Sequence, residues 1–336
     1  MRAVRVKEGS TEATALYIND NEPKPSPSHD QILIKVYAAG LNRADVSQRK
    51  GAYPPPPGVT TILGMEVAGI VDEVGPNAED KWTKGDRVMA LIDGGGYAEY
   101  ATAHKNNTMK IPENLNFVEA CCIPEVYLTA YQASIFIGKI QEQNRKKVLI
   151  HAAASGVGTA LIQICRNAKV EQIFATCSSG KLPAVKELGA DVALDRNGDW
   201  EKELLSKTEH KGVDFVLDPV GKNYFNKNIN VMALDALLVG IAMMSGTVVE
   251  NFDIAPLLRK RLTIQYSTLR SRPVQYKNAL VKSFVEWTDN LKMFEDGRMK
   301  PVLDTVFNFE DVVKAHQHME SNVTIGKTIL KLVHKE

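Results

Sequence analysis

KVLIHAAASGVGTALIQICRNA (residues 147–168) is the stretch that decides the fold. Lys147–His151 is an apolar run without alternation, as expected of a strand buried on both faces. Gly156 to Ala168 carries a helical apolar period. Between them lies a short turn of small residues ending in Ser155, Gly156, Val157 and Gly158. The first N–H groups of a helix have no internal partner, and the helix dipole adds positive potential, so such a turn attracts an anion. The full phosphate-binding fingerprint is G-x-G-x-x-G. Here only its last two glycine positions have a counterpart, with Ala153 near the first. A glycine turn of this kind is also a common structural device, so the turn alone leaves both readings open.

The flanking sequence favours the first. Apolar runs at Gln172–Thr176, Val192–Leu194, Val213–Leu217, Ala236–Ala242 and Leu262–Tyr266 alternate with helical patterns at Lys181–Leu188 and Trp200–Lys207. A succession of βα units predicts a parallel, doubly wound Rossmann sheet, with the pyrophosphate of a dinucleotide on the 155–158 turn. At the end of the second strand, an acid would accept from the ribose 2′-hydroxyl of NAD. The stretch Cys177 to Lys181 has no acid; Ser178, Ser179 and Lys181 suit a 2′-phosphate instead, or form only a turn and cap. Arg196, after the third strand, is placed to stack on an adenine or touch that phosphate, or is simply a solvated arginine.

Outside this region the texture differs. Up to about Pro124 the chain is rich in Gly, Pro and short strands: Gln31–Tyr37, Val67–Val74, Arg87–Ile92 and Tyr97–Thr102. After Arg272 come a long helix at Tyr276–Phe294, a strand at Pro301–Phe307, a helix at Phe309–Met319 capped by Asn308, and a strand at Thr328–Val333. We expect three segments: 1–125 and 268–336, which form a mainly β domain, and 126–267, the Rossmann domain inserted in it.

Composition narrows the function. The chain has 336 residues with 44% apolar and 24% charged content, as in ordinary globular proteins. Its net charge of +1 provides no field for nucleic acid or an anionic membrane. Cys121, Cys122, Cys165 and Cys177 form no C-x-x-C pair and read as reduced thiols in a cytoplasmic protein. The longest apolar stretch, around Ala233–Met244, is too short to span a bilayer. His104, His316 and His318 do not make a plausible metal set.

The motifs LNRADVSQRKGAYPPPPG (41–58), ILGMEVAGIVDEVG (62–75), PEVYLTAYQ (124–132), HAAASGVGTALIQ (151–163), KELGAD (186–191), LRSR (269–272) and IGKTIL (325–330) span nearly the whole chain. In that order they resemble a quinone oxidoreductase of the medium-chain dehydrogenase/reductase superfamily. Within it the chain is most similar to the tumour-suppressor-inducible quinone oxidoreductase group, relatives of zeta-crystallin. The resemblance implies a GroES-like catalytic domain, NADPH as hydride donor, a quinone or other unsaturated carbonyl as acceptor, and a homodimer formed through the Rossmann sheets. It implies that Asn42 and Tyr53 line the nicotinamide and acceptor pocket. Placed there, they can donate hydrogen bonds to the charge developing on the acceptor; for Tyr53, beside the four prolines Pro54 to Pro57, the other reading is a simple wall of the pocket. Thr129, Ser155 to Gly158, Gly240, Ile241, Met243, Ser267, Thr268, Leu269 and Lys327 then lie against the cofactor. Zinc members of the superfamily carry cysteine near position 42 and a G-H-E triplet. Here those positions hold Asn42 and Gly64-Met65-Glu66, and the cysteine-rich lobe is missing, so no catalytic zinc is expected. Enone or enoyl reduction is one alternative. A cofactor-binding regulatory or crystallin-like protein with little turnover is another.

Overall fold

The structure is a computed structural model that describes residues 1–143 and 145–334. β1 (Ala3–Val6) and β2 (Leu16–Asn19) make an antiparallel pair. β3 (Gln31–Leu41) leads into helix α1 (Arg43–Arg49), whose first turn is fixed by Asp45 Oδ2 accepting from the backbone N–H of Asn42 at 2.8 Å. Four strands follow: β4 (Glu66–Val74), β5 (Arg87–Leu91), β6 (Tyr100–His104) and β7 (Thr108–Lys110). Helices α2 (Phe117–Ala120) and α3 (Pro124–Tyr131) come next, and α3 continues as a π-helical turn over Gln132–Ile137.

The parallel sheet then begins. It contains β8 (Lys147–Ile150), β9 (Gln172–Cys177), β10 (Val192–Asp195), β11 (Val213–Asp218), β12 (Met232–Gly240) and β13 (Thr263–Tyr266). Their connections carry helices α4 (Gly156–Asn167), α5 (Leu182–Glu187), α6 (Trp200–Lys207), α7 (Lys222–Val231) and α8 (Ala255–Lys260). The chain returns through α9 (Val274–Trp287), α10 (Lys292–Glu295), β14 (Leu303–Asn308), α11 (Val312–Glu320) and β15 (Lys327–Lys331).

Two compact units result. One is Met1–Leu128 with Arg270–Glu336; the other is Thr129–Leu269. The textural boundaries at 125/126 and 267/268 thus lie two to three residues before the observed ones. In the first unit a seven-stranded sheet runs β14-β15-β3-β4-β5-β7, with β6 also on β3. β15 pairs antiparallel with β3, Thr328 opposite Leu41, so the C-terminal tail completes the sheet begun by the N-terminal segment. Ile32, Ile34, Val36, Val67, Val71 and Val88 from that sheet pack with Phe309, Val312 and Ala315 in one buried core. The second unit is a parallel sheet of order β10-β9-β8-β11-β12-β13. The chain reverses direction across it between β8 and β11, where doubly wound sheets bind ligands at their strand C-termini.

Several expectations need correction. The long helix at Tyr276–Phe294 is two helices, broken after Trp287 by positive φ at Asp289, Asn290 and Leu291. Asn308 ends β14 and makes no side-chain cap; a 3₁₀ turn at Phe309–Asp311 precedes α11. The strand expected at Tyr97–Thr102 lies at Tyr100–His104, because Tyr97 belongs to the preceding turn. Ala233–Met244 is largely β12 and its following loop. Among the described residues, the one helical run that meets the length and composition of a membrane span is Phe117–Ile137, and its most apolar 18-residue window is 72% buried. Such burial is that of a core helix.

Candidate functional site

Phosphate-side geometry is set by the strand ends of the parallel sheet. In the turn after β8 the left-handed residue is Ala152, with φ +49°, rather than Ala153. That conformation costs an alanine about 1–2 kcal/mol, and it turns the chain sharply from β8 into α4. Ser155 caps α4, its Oγ accepting from Gly158 N at 3.1 Å. The N–H groups of Gly156 and Val157 donate to none of the described residues, and both residues are partly exposed. A Cβ on Gly158 would lie 2.6 Å from Ala152 O and Ala153 Cα, so only glycine lets the helix start this close to the strand. Two free donors on a 12-residue helix with an open N-terminus fit a pyrophosphate.

Beneath the turn runs a chain of buried polar groups that sequence reading missed. His151 Nε2 donates to Asn228 Oδ1 at 2.7 Å, and its Nδ1 faces Thr176 Oγ1 at 2.8 Å. Asn228 Nδ2 donates to Asp218 Oδ2 at 3.0 Å, which sets both the amide orientation and the histidine tautomer. Asp218 Oδ1 accepts from Val220 N and Gly221 N at 2.6 and 3.1 Å. Burial pulls the His151 pKa down to about 4 against the pull of the Asn228 hydrogen bond, so the imidazole is neutral. The chain ties the 152–158 turn to the loop after β11. His151 lies 25 residues from Thr176 and 77 from Asn228, and no local pattern marks the set.

At the end of β9, Ser178, Ser179 and Lys181 form the turn into α5, with Lys181 N donating to Ser178 O at 2.8 Å. Arg196 follows β10 and is exposed, its N–H donating to Cys177 O at 2.8 Å. Burial raises the Cys177 thiol to about 11, and the charges of Lys181 and Arg196 oppose that rise, so both cations stand near the end of β9. Gly240, at the end of β12, pairs with Asp218 on one side and Tyr266 on the other. A Cβ there would meet the Tyr266 ring at 2.2 Å. Ile241 N donates to Asp218 O, and Ser267 N to Gly240 O. Met243 and Thr268 are exposed, while Ser267 and Leu269 are buried. Gln132, in the π-helical turn one helical turn beyond Thr129, donates to Thr268 O at 3.2 Å. The expected cofactor residues 155–158, 178–181, 196, 240–243 and 267–269 thus share one edge of one sheet.

The other unit holds a buried charged cluster. Glu66, the first residue of β4, is 0% exposed. Its Oε1 accepts from Asn42 Nδ2 at 2.8 Å and Lys327 Nζ at 2.6 Å, and its Oε2 from Glu125 N at 2.8 Å. Lys327 Nζ also donates to Leu41 O at 2.6 Å and Asn42 Oδ1 at 2.8 Å. Burial lowers the lysine's pKa, but the Glu66 charge and hydrogen bond outweigh it and hold the pKa above its ordinary value. A Cβ at Gly40 would come within 2.3 Å of Glu66 Oε1, so glycine in β3 makes room for the carboxylate. Two expectations change here. Lys327 has all three N–H bonds committed inside its unit and leaves none for a cofactor; it is the counter-ion of Glu66. Asn42 keeps one amide N–H, because the other serves Glu66 and its oxygen accepts from Lys327.

Tyr53, in the proline-rich loop, is half-buried, and burial raises its pKa, so it stays a phenol. The Arg270 guanidinium lies 5.6 Å from its ring centre. Arg270 is 4% exposed; its Nε donates to Asp93 O at 2.6 Å and its Nη1 to Gln48 Oε1 at 2.8 Å, but its buried Nη2 has no partner among the described residues. Lys277 Nζ holds the Asp93 carboxylate at 2.6 and 2.7 Å. Glu125, near the start of α3, is partly exposed, and its carboxyl oxygens make no hydrogen bond with a described residue. Burial and then the Glu66 charge raise its pKa to about 8. Sequence reading quoted the motifs around Glu125 and Arg270 and assigned neither residue a role.

Comparison with known proteins agrees with this architecture. Residues 28–113 match the family of alcohol dehydrogenase GroES-like domains, and residues 156–286 match that of zinc-binding dehydrogenases. The chain is 31% identical over 318 residues to the human synaptic vesicle membrane protein VAT-1 homolog, covering 91% of this chain and 80% of that protein. It is 29% identical to the quinone oxidoreductase of Pongo abelii, covering 99% and 98%. Among solved structures it resembles an NAD-dependent alcohol dehydrogenase (29% identity, TM-score 0.84, covering 99% and 100%) and the CurK enoyl reductase (25%, 0.85, 99% and 99%). It also resembles a mycobacterial protein complexed with NADPH (27%, TM-score 0.83, covering 98% and 99%). The chain belongs to the medium-chain dehydrogenase/reductase superfamily, NAD(P)-dependent oxidoreductases with a GroES-like and a Rossmann domain, and to its quinone oxidoreductase-like group.

Proposed function

We propose that this protein is an NADPH-dependent quinone oxidoreductase that works without a metal. The observation that carries this is the Tyr53 phenol beside Arg270, whose buried Nη2 has no partner among the described residues; with the remaining Asn42 N–H, these are donors for an oxygen that gains negative charge. Bound NADPH supplies the hydride. The free N–H groups of Gly156 and Val157 hold its pyrophosphate. Lys181 and Arg196 face its 2′-phosphate, and the turn from Ser178 to Lys181 after β9 carries no acid; the acid at this edge is Asp195, which ends β10 opposite Cys177.

Catalytic zinc needs three converging ligands from Cys, His, Asp or Glu. Among the described residues no such group exists, and Glu66 has an ammonium at 2.6 Å where a metal would be repelled. The donor set therefore does not fit zinc. The likeness to CurK supports a second reading, reduction of an enone or enoyl thioester. We further propose a cytoplasmic homodimer formed along the edge strand β13, beside which Leu258, Ile254 and Tyr266 are 83%, 69% and 42% exposed. Its partners would otherwise be small molecules, not membrane or nucleic acid.

The test is oxidation of NADPH against a panel of ortho- and para-quinones and enones, with NADH as control. Faster turnover of quinones supports the first reading, faster turnover of enones the second. NADPH binding with no turnover of any acceptor refutes both and leaves a cofactor-binding, crystallin-like protein. Tyr53→Phe with unchanged kcat would remove Tyr53 as a hydrogen-bond donor to the acceptor.

A further inference from the structure

We propose that Glu125 carries the proton that completes reduction of the acceptor, with Tyr53 and Arg270 receiving the acceptor oxygen beside it. This rests on the reading above and deepens it.

Reduction of a carbonyl acceptor by hydride leaves an oxyanion that must gain one proton. Hydride brings two electrons and one hydrogen; one proton from a side chain then gives the hydroxyl, and the donor is left as an anion. For a quinone the product is the hydroquinone. The protein must therefore keep an acid protonated at neutral pH and refill it from solvent. His151 does not serve, because it is buried in a closed network of the other unit. Asp45 is sealed at 1% exposure, with its oxygens on Asn42 N and Gly64 N. Glu66 is saturated by Lys327, Asn42 and Glu125 N.

Glu125 is different. Its backbone N–H is anchored on Glu66, which fixes the start of α3, while its carboxyl is free of hydrogen bonds and keeps access to the surface. The charged groups acting on it are Glu66 and Asp45, which favour the acid, and Lys327 and Arg270, which favour the anion. Burial and Glu66 prevail, and the group titrates at about 8. Its charge in turn acts on Tyr53, which places the two side chains in one neighbourhood. An independent sign of a ligand there is the buried Arg270 Nη2 without a partner, beside the Tyr53 ring. A buried guanidinium N–H is rarely left unsatisfied unless a ligand or water completes it. After proton transfer the same guanidinium and the Lys327 ammonium stabilise the new carboxylate.

Two measurements test this. Infrared pH-difference spectra of the cofactor-free protein should show a protonated carboxyl band that titrates near pH 8 and is absent from Glu125→Gln. In turnover, Glu125→Gln should lower kcat on the best acceptor about 100-fold with the NADPH KM changed less than twofold. The wild type should lose activity above pH 8, and Glu125→Gln should abolish that loss. Glu125→Asp should recover part of the rate. A missing infrared band, or unchanged kcat and pH profile in Glu125→Gln, overturns the proposal. If no acceptor is reduced by the wild type, the functional reading fails, and this inference fails with it even where the infrared band is present.

Discussion

Replacing Lys327 by Met puts a number on the buried cluster. The substitution keeps the volume of the side chain and removes three hydrogen bonds, to Leu41 O, Asn42 Oδ1 and Glu66 Oε1. It also leaves a carboxylate at 0% exposure with only Asn42 Nδ2 and Glu125 N as donors. At 2.6 Å the pair attracts by about 6 kcal/mol with an effective dielectric of about 20. Part of that is offset by the desolvation of two ions, so breaking the pair should cost about 3–5 kcal/mol. For a unit of this size that lowers the unfolding midpoint by roughly 10 °C.

The variant has a second signature. Without its counter-ion, Glu66 should bind a proton more readily folded than unfolded, where its pKa is about 4.3. A carboxyl raised in the native state loses stability as pH rises, so the deficit should be small near pH 5 and full near pH 8. Equilibrium urea denaturation at both pH values reads this directly. The double variant Glu66→Leu/Lys327→Met, which leaves no orphan charge, should recover most of the loss. A deficit below about 1 kcal/mol at pH 8, or a double variant worse than the single one, would refute the reasoning.

Lys181→Ala should raise the NADPH KM at least tenfold and leave the NADH KM nearly unchanged, since one charge-assisted bond to phosphate contributes roughly 1.5–3 kcal/mol; equal shifts in steady-state kinetics would remove the 2′-phosphate assignment. Gly158→Ala, whose Cβ would lie 2.6 Å from the Ala152 carbonyl oxygen, should abolish cofactor binding measured by fluorescence titration, or prevent folding. Glu125, at about 8 folded and about 4.3 unfolded, has its native pKa raised, so its ionisation removes stability progressively between about pH 4.5 and 8. Glu125→Gln should therefore match the wild type in urea at pH 4.5 and exceed it by about 3–5 kcal/mol at pH 9. Asn228→Leu should loosen both the 152–158 turn and the loop after β11, seen as faster exchange of the hydrogen-bonded amides of Ala153, Ser155, Gly158 and Gly221, while exchange in β4 stays as it was.

Much of this molecule was legible in its sequence because the signals are local. The unalternating run Lys147–Ile150, the Ser155 cap and Gly158 lie within a dozen residues, and their spacing specifies strand, turn and helix wherever they occur. The absence of an acid at the end of β9 is likewise readable in one line. Local rules failed where long-range packing overrides them. The break at Asp289–Leu291 interrupts a continuous helical period. Asn308 has the residue type of a cap but ends a strand. The left-handed turn residue is Ala152, where propensity alone would place a glycine.

The site divides in the same way. Sequence determined which strand ends carry Ser155 to Gly158, Ser178 to Lys181 and Gly240, because parallel βα order dictates that they share an edge. Only the tertiary structure decided what Lys327, Glu66, Asn42, Glu125 and Arg270 do. Lys327 and Glu66 are 261 residues apart, and Arg270 and Gln48 are 222 apart. Lys327 reaches Glu66 and Asn42 because β15 returns to pair with β3, Thr328 opposite Leu41. A side chain's charge state and free hydrogen-bond capacity depend on which neighbours folding brings to it, and that information is not written at the residue itself.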